Sequence, residues 1–201
     1  MKFEESTTLI NVATSFTSET QEGARYQFMA KMAMQQQFTA LQRVLKDLAT
    51  NEMAHAEQFL NILKTKCGDK EVLKNLAVSP TYNYNGGDLL TMLRDTYEIE
   101  KHQQDVVYLN FSETANEEGF TDVAKLFDLI AKIEGDHALI TKQLFEQMET
   151  NTLYKTEEES VWKCSECGHE ITGTAPTVCP VCKSPVGAFL LKTDLARYYA
   201  R

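Results

Sequence analysis

The sequence predicts a mainly α-helical protein: an antiparallel four-helix bundle followed by a small C-terminal domain that binds one metal ion through four cysteines. Three observations support this prediction. Residues 4 to about 150 carry apolar side chains at helical spacing in four long segments. Two of these segments repeat the same pattern 82 residues apart. Four of the five cysteines lie within nineteen residues, after the helical pattern has ended.

The helices are predicted from where the apolar pattern begins and where it is interrupted. The predicted spans are 4 to about 37, 38–66, 88–117 and 121 to about 150. The loop 79–88 separates the second span from the third, because it contains Pro80 and a Gly-Gly pair. Gly119 separates the third span from the fourth. Short turns within each pair and one longer connection between pairs are typical of a four-helix bundle with one crossover.

The second and fourth predicted helices are related by an internal duplication. The segment FTALQRVLKDLATNEMAH (38–55) aligns without a gap with FTDVAKLFDLIAKIEGDH (120–137). Glu52 therefore matches Glu134, and His55 matches His137. All four lie on the apolar stripe of their helix, where an unpaired carboxylate costs on the order of several kcal/mol. The pattern indicates that a bound cation balances these charges.

The other two long helices each place a glutamate at the same level of the bundle. Glu19 lies seven residues before Tyr26, and Glu100 lies eight before Tyr108. One Glu from each of two helices and Glu-x-x-His from the other two form the di-iron or di-manganese site of ferritin-like bundles. The alternative, surface glutamates and ordinary core histidines, does not explain the matching register of the two motifs.

The predicted bundle ligands are Glu19, Glu52, His55, Glu100, Glu134 and His137. Tyr26 and Tyr108 are predicted either to be core aromatics or to donate hydrogen bonds to ligand carboxylates. Cys67, alone at the end of the second helix, is expected to be a spectator thiol.

The C-terminal cysteines form two pairs with metal-ligand spacing. Cys164 and Cys167 form C-x-x-C-G, and Cys179 and Cys182 form C-P-x-C. Two such pairs place four thiolates tetrahedrally around one ion. The spacing fits iron, and it also fits zinc, which would serve structure alone.

Charge and hydropathy restrict the partners. The net charge is −9; from residue 161 onward, five Lys/Arg against three Asp/Glu give +2, so residues 1–160 carry −11. This balance argues against nucleic acid. No apolar run reaches the roughly eighteen residues of a membrane span, and the N-terminus is acidic and polar. A cytoplasmic protein is expected, with a bundle domain over 1–155 and a linker, cysteine domain and short tail over 156–201.

Several motifs together resemble the rubrerythrin family: ETQEGARY (19–26), NEMAH (51–55), YLNFSETANEEGF (108–120) and IEGDH (133–137). The cysteine segment resembles that family's rubredoxin-like domain, including Trp162, Pro185 and Phe189. The resemblance implies a ferritin-like bundle holding two irons and a rubredoxin-like domain holding one. It also implies a homodimer in which the rubredoxin-like centre of one subunit lies near the di-iron site of the other.

The implied activity is that of a peroxidase of oxidative-stress defence. Electrons from an external reductase or rubredoxin would enter at the cysteine-bound iron and pass to the di-iron site, where hydrogen peroxide would be reduced. Two alternatives remain open: an iron-handling ferroxidase, storage or dioxygen-reducing ferritin-like protein, and a redox sensor. The four-cysteine domain favours the peroxidase, because a storage bundle needs no one-electron carrier.

One residue departs from the family pattern. The family's third helix usually offers a second glutamate three residues after the first, which exchanges with the helix-2 histidine. Here that residue is Gln103, whose neutral amide is a poor iron ligand. We therefore expect His55 to stay bound in both oxidation states, with Gln103 beside the ligands.

Overall fold

The computed structural model describes residues 1–83, 86–156 and 159–194. The helices are α1 Thr7–Gln35, α2 Thr39–Lys66, α3 Lys70–Asn75, α4 Leu89–His102, α5 Tyr108–Glu117 and α6 Thr121–Glu149. A π-helical turn, Gln103–Val107, joins α4 to α5. The strands are β1 Val161–Cys164, β2 Glu170–Thr172 and β3 Phe189–Leu191. The predicted fold class, a four-helix bundle followed by a small four-cysteine module, is confirmed.

Helix α1 begins at Thr7 and not near Glu4 as predicted, because Ser6 caps it. The Ser6 hydroxyl accepts a hydrogen bond of 3.1 Å from the amide three residues later. Glu118, just after α5, also accepts hydrogen bonds of 2.8 Å from the amides of Thr7 and Thr8. A carboxylate at this end of a helix is favoured by the helix dipole.

The third long helix differs from the continuous helix predicted over 88–117. The π turn between α4 and α5 adds one residue to the helical path. This addition explains why Glu100 precedes Tyr108 by eight residues whereas Glu19 precedes Tyr26 by seven: both pairs stay on the inner side of the bundle. The crossover between α2 and α4 contains the short helix α3, which the sequence analysis did not predict.

The internal duplication is visible in the turns that precede α2 and α6. Gln37 and Gly119, 82 residues apart, both have positive φ, 64° and 88°. The next residues, Phe38 and Phe120, occupy the N-cap positions with closely similar backbone angles. A glycine adopts the left-handed conformation at little cost, which fits its use at 119.

Two apolar cores fill the bundle on either side of a polar layer. Core A includes Tyr26, Met29, Leu45, Leu93 and Leu144. Core B includes Val12, Phe59, Ala115, Phe127 and Ile130. The early part of α1 shares core B with the late part of α2, so these helices are antiparallel, and the same relation holds for α4–α5 and α6. All six predicted ligands lie along the chain between core A segments and core B segments.

The cysteine module, residues 159–194, is built on a three-stranded antiparallel sheet with the order β2-β1-β3. Trp162 is buried at its centre and donates a 2.8 Å hydrogen bond from Nε1 to the carbonyl of Gly173. Phe189 packs in the same small core. The aromatic residues that marked this segment in the sequence therefore supply its packing.

The module docks against the N-terminal end of α2. Arg43 lies 3.0 Å from a carboxylate oxygen of Glu166 and donates to the carbonyl of Ser165. Gly187 approaches the backbone of Gln37 so closely that a β-carbon there would overlap the carbonyl. The contact therefore requires glycine at this position.

The domain boundary at 155/156 stays a prediction. Helix α6 ends at Glu149, and β1 begins at Val161. Residues 157–158 of the predicted linker and 195–201 of the predicted tail lie outside the described residues. Within the described ranges, no helix combines the length and hydropathy that crossing a membrane requires.

Candidate metal centres

The six predicted bundle ligands converge between the two cores. Their donor atoms form two overlapping groups, each within 4.8 Å. The His55 half-site contains Glu19, Glu52, His55 and Glu134; the His137 half-site contains Glu52, Glu100, Glu134 and His137. The two half-sites share Glu52 and Glu134. This is the arrangement expected for two ions joined by two carboxylates.

The two shared glutamates each direct one oxygen to each half-site. For Glu52, Oε2 lies 3.4 Å from Nδ1 of His55, and Oε1 lies 2.7 Å from Nδ1 of His137. For Glu134, the corresponding distances are both 3.1 Å, through Oε1 and Oε2. The terminal glutamates differ, because Glu19 approaches His55 at 3.1 Å and Glu100 lies 4.0 Å from His137. In this arrangement Glu52 and Glu134 would each bind both ions of a metal pair, and Glu19 and Glu100 would each bind one.

The burial of these groups fits a pair of cations. Glu19, Glu100 and Glu134 are fully buried. Among the described residues, no group meets the geometry of a hydrogen bond to either carboxylate oxygen of Glu134, or to one oxygen each of Glu52 and Glu100. Buried carboxylates without donors are costly unless an ion balances them. Four carboxylates would balance two divalent ions, so these residues fit a di-iron centre.

Without metal, the terminal glutamates are held close to their neutral form. Burial raises the pKa of Glu19 and of Glu100 well above the ordinary value of 4.5. The negative charges of the shared glutamates, Glu134 and Glu52, raise both pKa values further. Burial would also raise the pKa of Glu52, but the two histidines outweigh it and hold that pKa low.

The two histidines respond in the opposite sense. Burial would lower the pKa of His55, but the carboxylates of Glu134, Glu19 and Glu52, all within 3.4 Å of its Nδ1, raise it to about 12. The same balance, with the charge of Glu52 as the largest favourable contribution, raises the pKa of His137 to about 10. In the metal-free protein, the positive charges of the two imidazolium groups therefore balance part of the negative charge of the carboxylates.

These shifts predict how the metal-free protein responds to pH. The folded-state pKa values of Glu19, Glu100, His55 and His137 all lie above their unfolded values, so their contribution to stability is complete at low pH and is lost as pH rises. Glu52 acts oppositely, but only near and below its unfolded value of 4.5. We expect the melting temperature of metal-free protein, followed by helical circular dichroism, to fall from pH 5 to pH 9.

The metal-loaded protein provides the control for this measurement. Its ligands must be deprotonated to bind, so acid displaces the ions and its melting temperature should fall toward low pH. A metal-free protein that gained stability between pH 5 and pH 9 would contradict the electrostatic description of the centre.

Both predicted tyrosines contact the centre. Tyr26 donates a 2.6 Å hydrogen bond to Glu100, and Tyr108 donates a short one to Glu19. Each tyrosine lies on the same long helix as one glutamate and bonds the glutamate of the other. These bonds orient the two terminal carboxylates. The two alternatives predicted for these tyrosines both apply. Each tyrosine is a buried core aromatic, and each also donates a hydrogen bond to a terminal glutamate.

Gln103 is buried in the π turn, and its Oε1 has no hydrogen-bond partner in the described ranges. Asn51 was not among the predicted site residues, and its amide lies 3.5 Å from Nε2 of His137. The sequence feature that could have indicated Asn51 is its position directly before Glu52 in the motif NEMAH. An outer partner of this kind fixes the orientation of a ligand imidazole.

Sequence analysis also missed a complementary pair of close contacts beside the ligands. A β-carbon at Gly23 would lie 3.3 Å from the sulfur of Met53, and one at Gly135 would overlap the side chain of Gln104. Met53 and Gly135 are 82 residues apart and occupy equivalent positions. In the first half of the chain the glycine is on α1 and the larger side chain is on α2. In the second half the larger side chain, Gln104, is in the π turn and the glycine is on α6.

A third group that was missed is the buried pair of Glu22 and Arg25. Both side chains are buried, and Nε of Arg25 lies 3.2 Å from Oε2 of Glu22. Burial raises the pKa of Glu22 to about 7, although Arg25 opposes the shift. The signal in the sequence was a second glutamate three residues after Glu19.

The four C-terminal cysteines form the second centre. Cys164 and Cys182 have their sulfurs 3.7 Å apart, as do Cys167 and Cys179. Disulfide sulfurs are about 2.05 Å apart, whereas thiolates around one tetrahedral ion at about 2.3 Å are about 3.8 Å apart. The spacing fits a metal ion and excludes these disulfides.

In each C-x-x-C pair the first cysteine is buried and the second is exposed. Cys164 and Cys179 are buried, whereas Cys167 and Cys182 are exposed. The hydroxyl of Ser184 lowers the pKa of the Cys182 thiol to about 6, which favours the thiolate that a metal requires.

Comparison with known proteins identifies the family. A sequence profile of rubrerythrin matches residues 11–104 and 91–175. Rubrerythrin-1 of Clostridium acetobutylicum is 33% identical over 185 residues, which cover 92% of this chain and 93% of that protein. Rubrerythrin of Clostridium perfringens is 32% identical over 183 residues, covering 89% and 91%.

A solved structure of nigerythrin in a mixed-valence state has the same fold, with a TM-score of 0.60 and 19% identity over 94% of this chain and 91% of that one. Rubrerythrins bind two irons in the bundle, and the four-cysteine cluster fits their rubredoxin-like iron site, so the predicted cofactors are confirmed. The chain belongs to the rubrerythrin family, di-iron oxidoreductases of oxidative-stress defence.

Proposed function

We propose that this protein is a peroxidase that reduces hydrogen peroxide to water with electrons delivered through the cysteine-bound iron. The observation that carries the proposal is the presence, in one chain, of a two-metal carboxylate–histidine centre and a four-thiolate centre. A thiolate-bound iron is a one-electron carrier, for which an iron-storage bundle has no use. The module also docks directly on α2, the helix that supplies Glu52 and His55.

The proposed ligands are the six residues predicted from the sequence, and the proposed domains are 1–155 and 156–201. Bound as a pair, iron supplies the two electrons that, with two protons, convert one hydrogen peroxide into two waters. Glu52 and Glu134 fix the separation of the two positions, because each has one oxygen in each half-site. Tyr26 and Tyr108 hold the terminal carboxylates in place.

A cavity of about 350 Å³ between α1 and the α4–α5 segment offers a route to the centre. We name it the entry cavity. Its wall includes Tyr108, which bonds Glu19, and it includes Gln103 and Glu22. The outer part of the wall is formed by polar residues such as Ser18 and His102. A small polar oxidant could reach the ligands without displacing either apolar core.

Electron supply is proposed to begin at the exposed cysteines, Cys167 and Cys182, where an external reductase or rubredoxin can approach. Within one chain, the docking residue Arg43 precedes Glu52 by nine residues, about 13.5 Å along α2 at 1.5 Å per residue. We also propose a homodimer, in which the module of one subunit serves the other. Exposed apolar side chains on α6, Leu129, Ile133 and Leu139, support such an interface.

The second candidate is a protein whose preferred oxidant is dioxygen. It is favoured by Gln103, which adds no negative charge where a glutamate would stabilise ferric iron. An iron-storage protein that oxidises ferrous iron with dioxygen belongs to this second candidate.

The test uses fully reduced, iron-loaded protein under anaerobic conditions. We expect one equivalent of hydrogen peroxide to oxidise the iron pair faster than an equal concentration of dioxygen, and the cysteine-bound iron to be oxidised afterwards. Faster oxidation by dioxygen, or growth of an iron mineral when ferrous iron is added, would overturn the proposal.

A further inference from the structure

Glu22 is a buried carboxylate that the six-ligand centre does not use. It lies on α1 one helical turn after Glu19, so both side chains point toward the same side of the bundle. The internal duplication relates Glu19 to Glu100 with an offset of 81 residues, and the same offset relates Glu22 to Gln103. The two halves therefore place a carboxylate and a neutral amide at equivalent positions, and both line the entry cavity.

The ion pair between Glu22 and Arg25 lacks a well-aligned hydrogen bond. Oε2 of Glu22 and Nε of Arg25 are 3.2 Å apart, yet neither atom makes a hydrogen bond within the part of the chain that the structure describes. Arg25 is secured without Glu22, because Nη2 donates a 2.7 Å bond to the carbonyl of Asn83 and the guanidinium lies 4.6 Å from the ring centre of Tyr82. The ion pair can open while Arg25 stays in place.

The surroundings of Glu22 point to the His137 half-site. Glu22 is one of the charges that raise the pKa of Glu100, the terminal glutamate of that half-site. It is not among the main contributions for Glu19, the terminal glutamate of the other one. Tyr26, one turn further along α1, donates its hydrogen bond to Glu100. The contact of Tyr26 places this part of α1 beside Glu100, and Glu22 itself is outside both groups of donor atoms that lie within 4.8 Å of one another.

We propose that Glu22 is a seventh ligand of the di-iron centre, which binds the metal of the His137 half-site and rests against Arg25 when it is not bound. The inference rests on the proposed function only for the identity of the other six ligands. On binding, a carboxylate oxygen–metal bond forms and the contact with Arg25 opens, while Arg25 keeps Asn83 and Tyr82. No electron is transferred in this step, and where Glu22 carries a proton, that proton is released to water as the bond to the metal forms.

The seventh ligand makes the two metal positions unequal. The His137 half-site then holds four carboxylates, Glu22 added to its own three, whereas the His55 half-site holds three. Ferric iron gains more from an added negative charge than ferrous iron does. The metal of the His137 half-site is therefore the more readily oxidised of the two.

The test compares Glu22→Gln with wild type and with Glu57→Gln, which makes the same charge change at an exposed position on α2. Glutamine has the size of glutamate, so the fold should be retained. We expect two bundle irons in all three proteins. In Glu22→Gln, the ferric preference of one iron should fall about tenfold, which is about 59 mV for a one-electron couple.

Crystal structures of the ferrous and ferric wild-type protein provide the second readout. In at least one oxidation state, a Glu22 oxygen should lie about 2.2 Å from the iron beside His137, the usual length of a metal–carboxylate bond. The inference is overturned if Glu22 stays on Arg25 in both states, or if Glu22→Gln has the wild-type potential. In that case a peroxide-active wild type leaves the proposed function intact, whereas a wild type without an iron pair overturns both.

Discussion

Replacing Glu134 by glutamine is expected to remove iron from both bundle positions, because each oxygen of Glu134 belongs to a different half-site. A neutral amide does not bridge two cations, and the variant also loses one of the four charges that balance them. Loss of an outer partner costs about 10- to 100-fold in metal affinity, and loss of a shared ligand should exceed about 100-fold. Elemental analysis of iron per chain measures this loss, and peroxide reduction should fall with it.

Asp136→Asn is the matched control for this variant. Asp136 lies two residues further along α6 in the same IEGDH motif, but its side chain is exposed. This variant should retain both bundle irons and full activity. If Glu134→Gln kept two irons at wild-type affinity, Glu134 would be a buried structural carboxylate and the bridging assignment would be wrong.

Replacing Cys182 by serine is expected to abolish steady-state peroxide reduction while leaving the bundle iron in place. Cys182 is exposed, so the change should not disturb packing, but it removes one of four sulfurs around the ion. Without that ion no one-electron carrier connects the external donor to the pair. Turnover should fall at least about 100-fold, as when a group essential to the reaction is removed. The red colour of the ferric thiolate centre should be lost too.

Chemical reduction separates the two roles in this variant. A small-molecule reductant loads the iron pair directly, so one equivalent of peroxide should still oxidise the pair of Cys182→Ser at the wild-type rate. Cys67→Ala is the control, since Cys67 lies in core B away from the other cysteines. Wild-type turnover by Cys182→Ser with the external donor would show that electrons bypass the cysteine module.

The internal duplication explains why so much of the candidate site could be predicted from the sequence. The two Glu-x-x-His motifs are local and helical, so their spacing alone fixes where Glu52, His55, Glu134 and His137 point. The structure brings all four together with Glu19 and Glu100, although their assignment as ligands remains a proposal. The π turn was not predicted, although Glu100 and Tyr108 are eight residues apart and the corresponding residues of the first helix are seven apart. The extra residue was the sign of a change in helix type.

The remaining features depend on contacts between distant segments. Glu22 is four residues from Tyr26 and three from Arg25, so on a single helix it looks like half of an ordinary exposed ion pair. Only packing of α1 against the α4–α5 segment shows that it is buried beside the centre. The docking of the cysteine module could not be predicted either. It depends on Gly187 approaching the backbone of Gln37, and these two residues are far apart in the sequence.

The most direct test of the central claim, that the bundle holds a coupled iron pair and the module a separate thiolate iron, is Mössbauer spectroscopy of the protein loaded with ⁵⁷Fe and oxidised with peroxide. Three metal positions per chain, two sharing carboxylates and one of four thiolates, predict two signals with areas in a 2:1 ratio. The larger signal should come from a spin-coupled ferric pair and the smaller from iron in four-thiolate coordination. A spectrum of isolated, uncoupled bundle irons, or a cysteine site filled by zinc in iron-replete cells, would contradict the account.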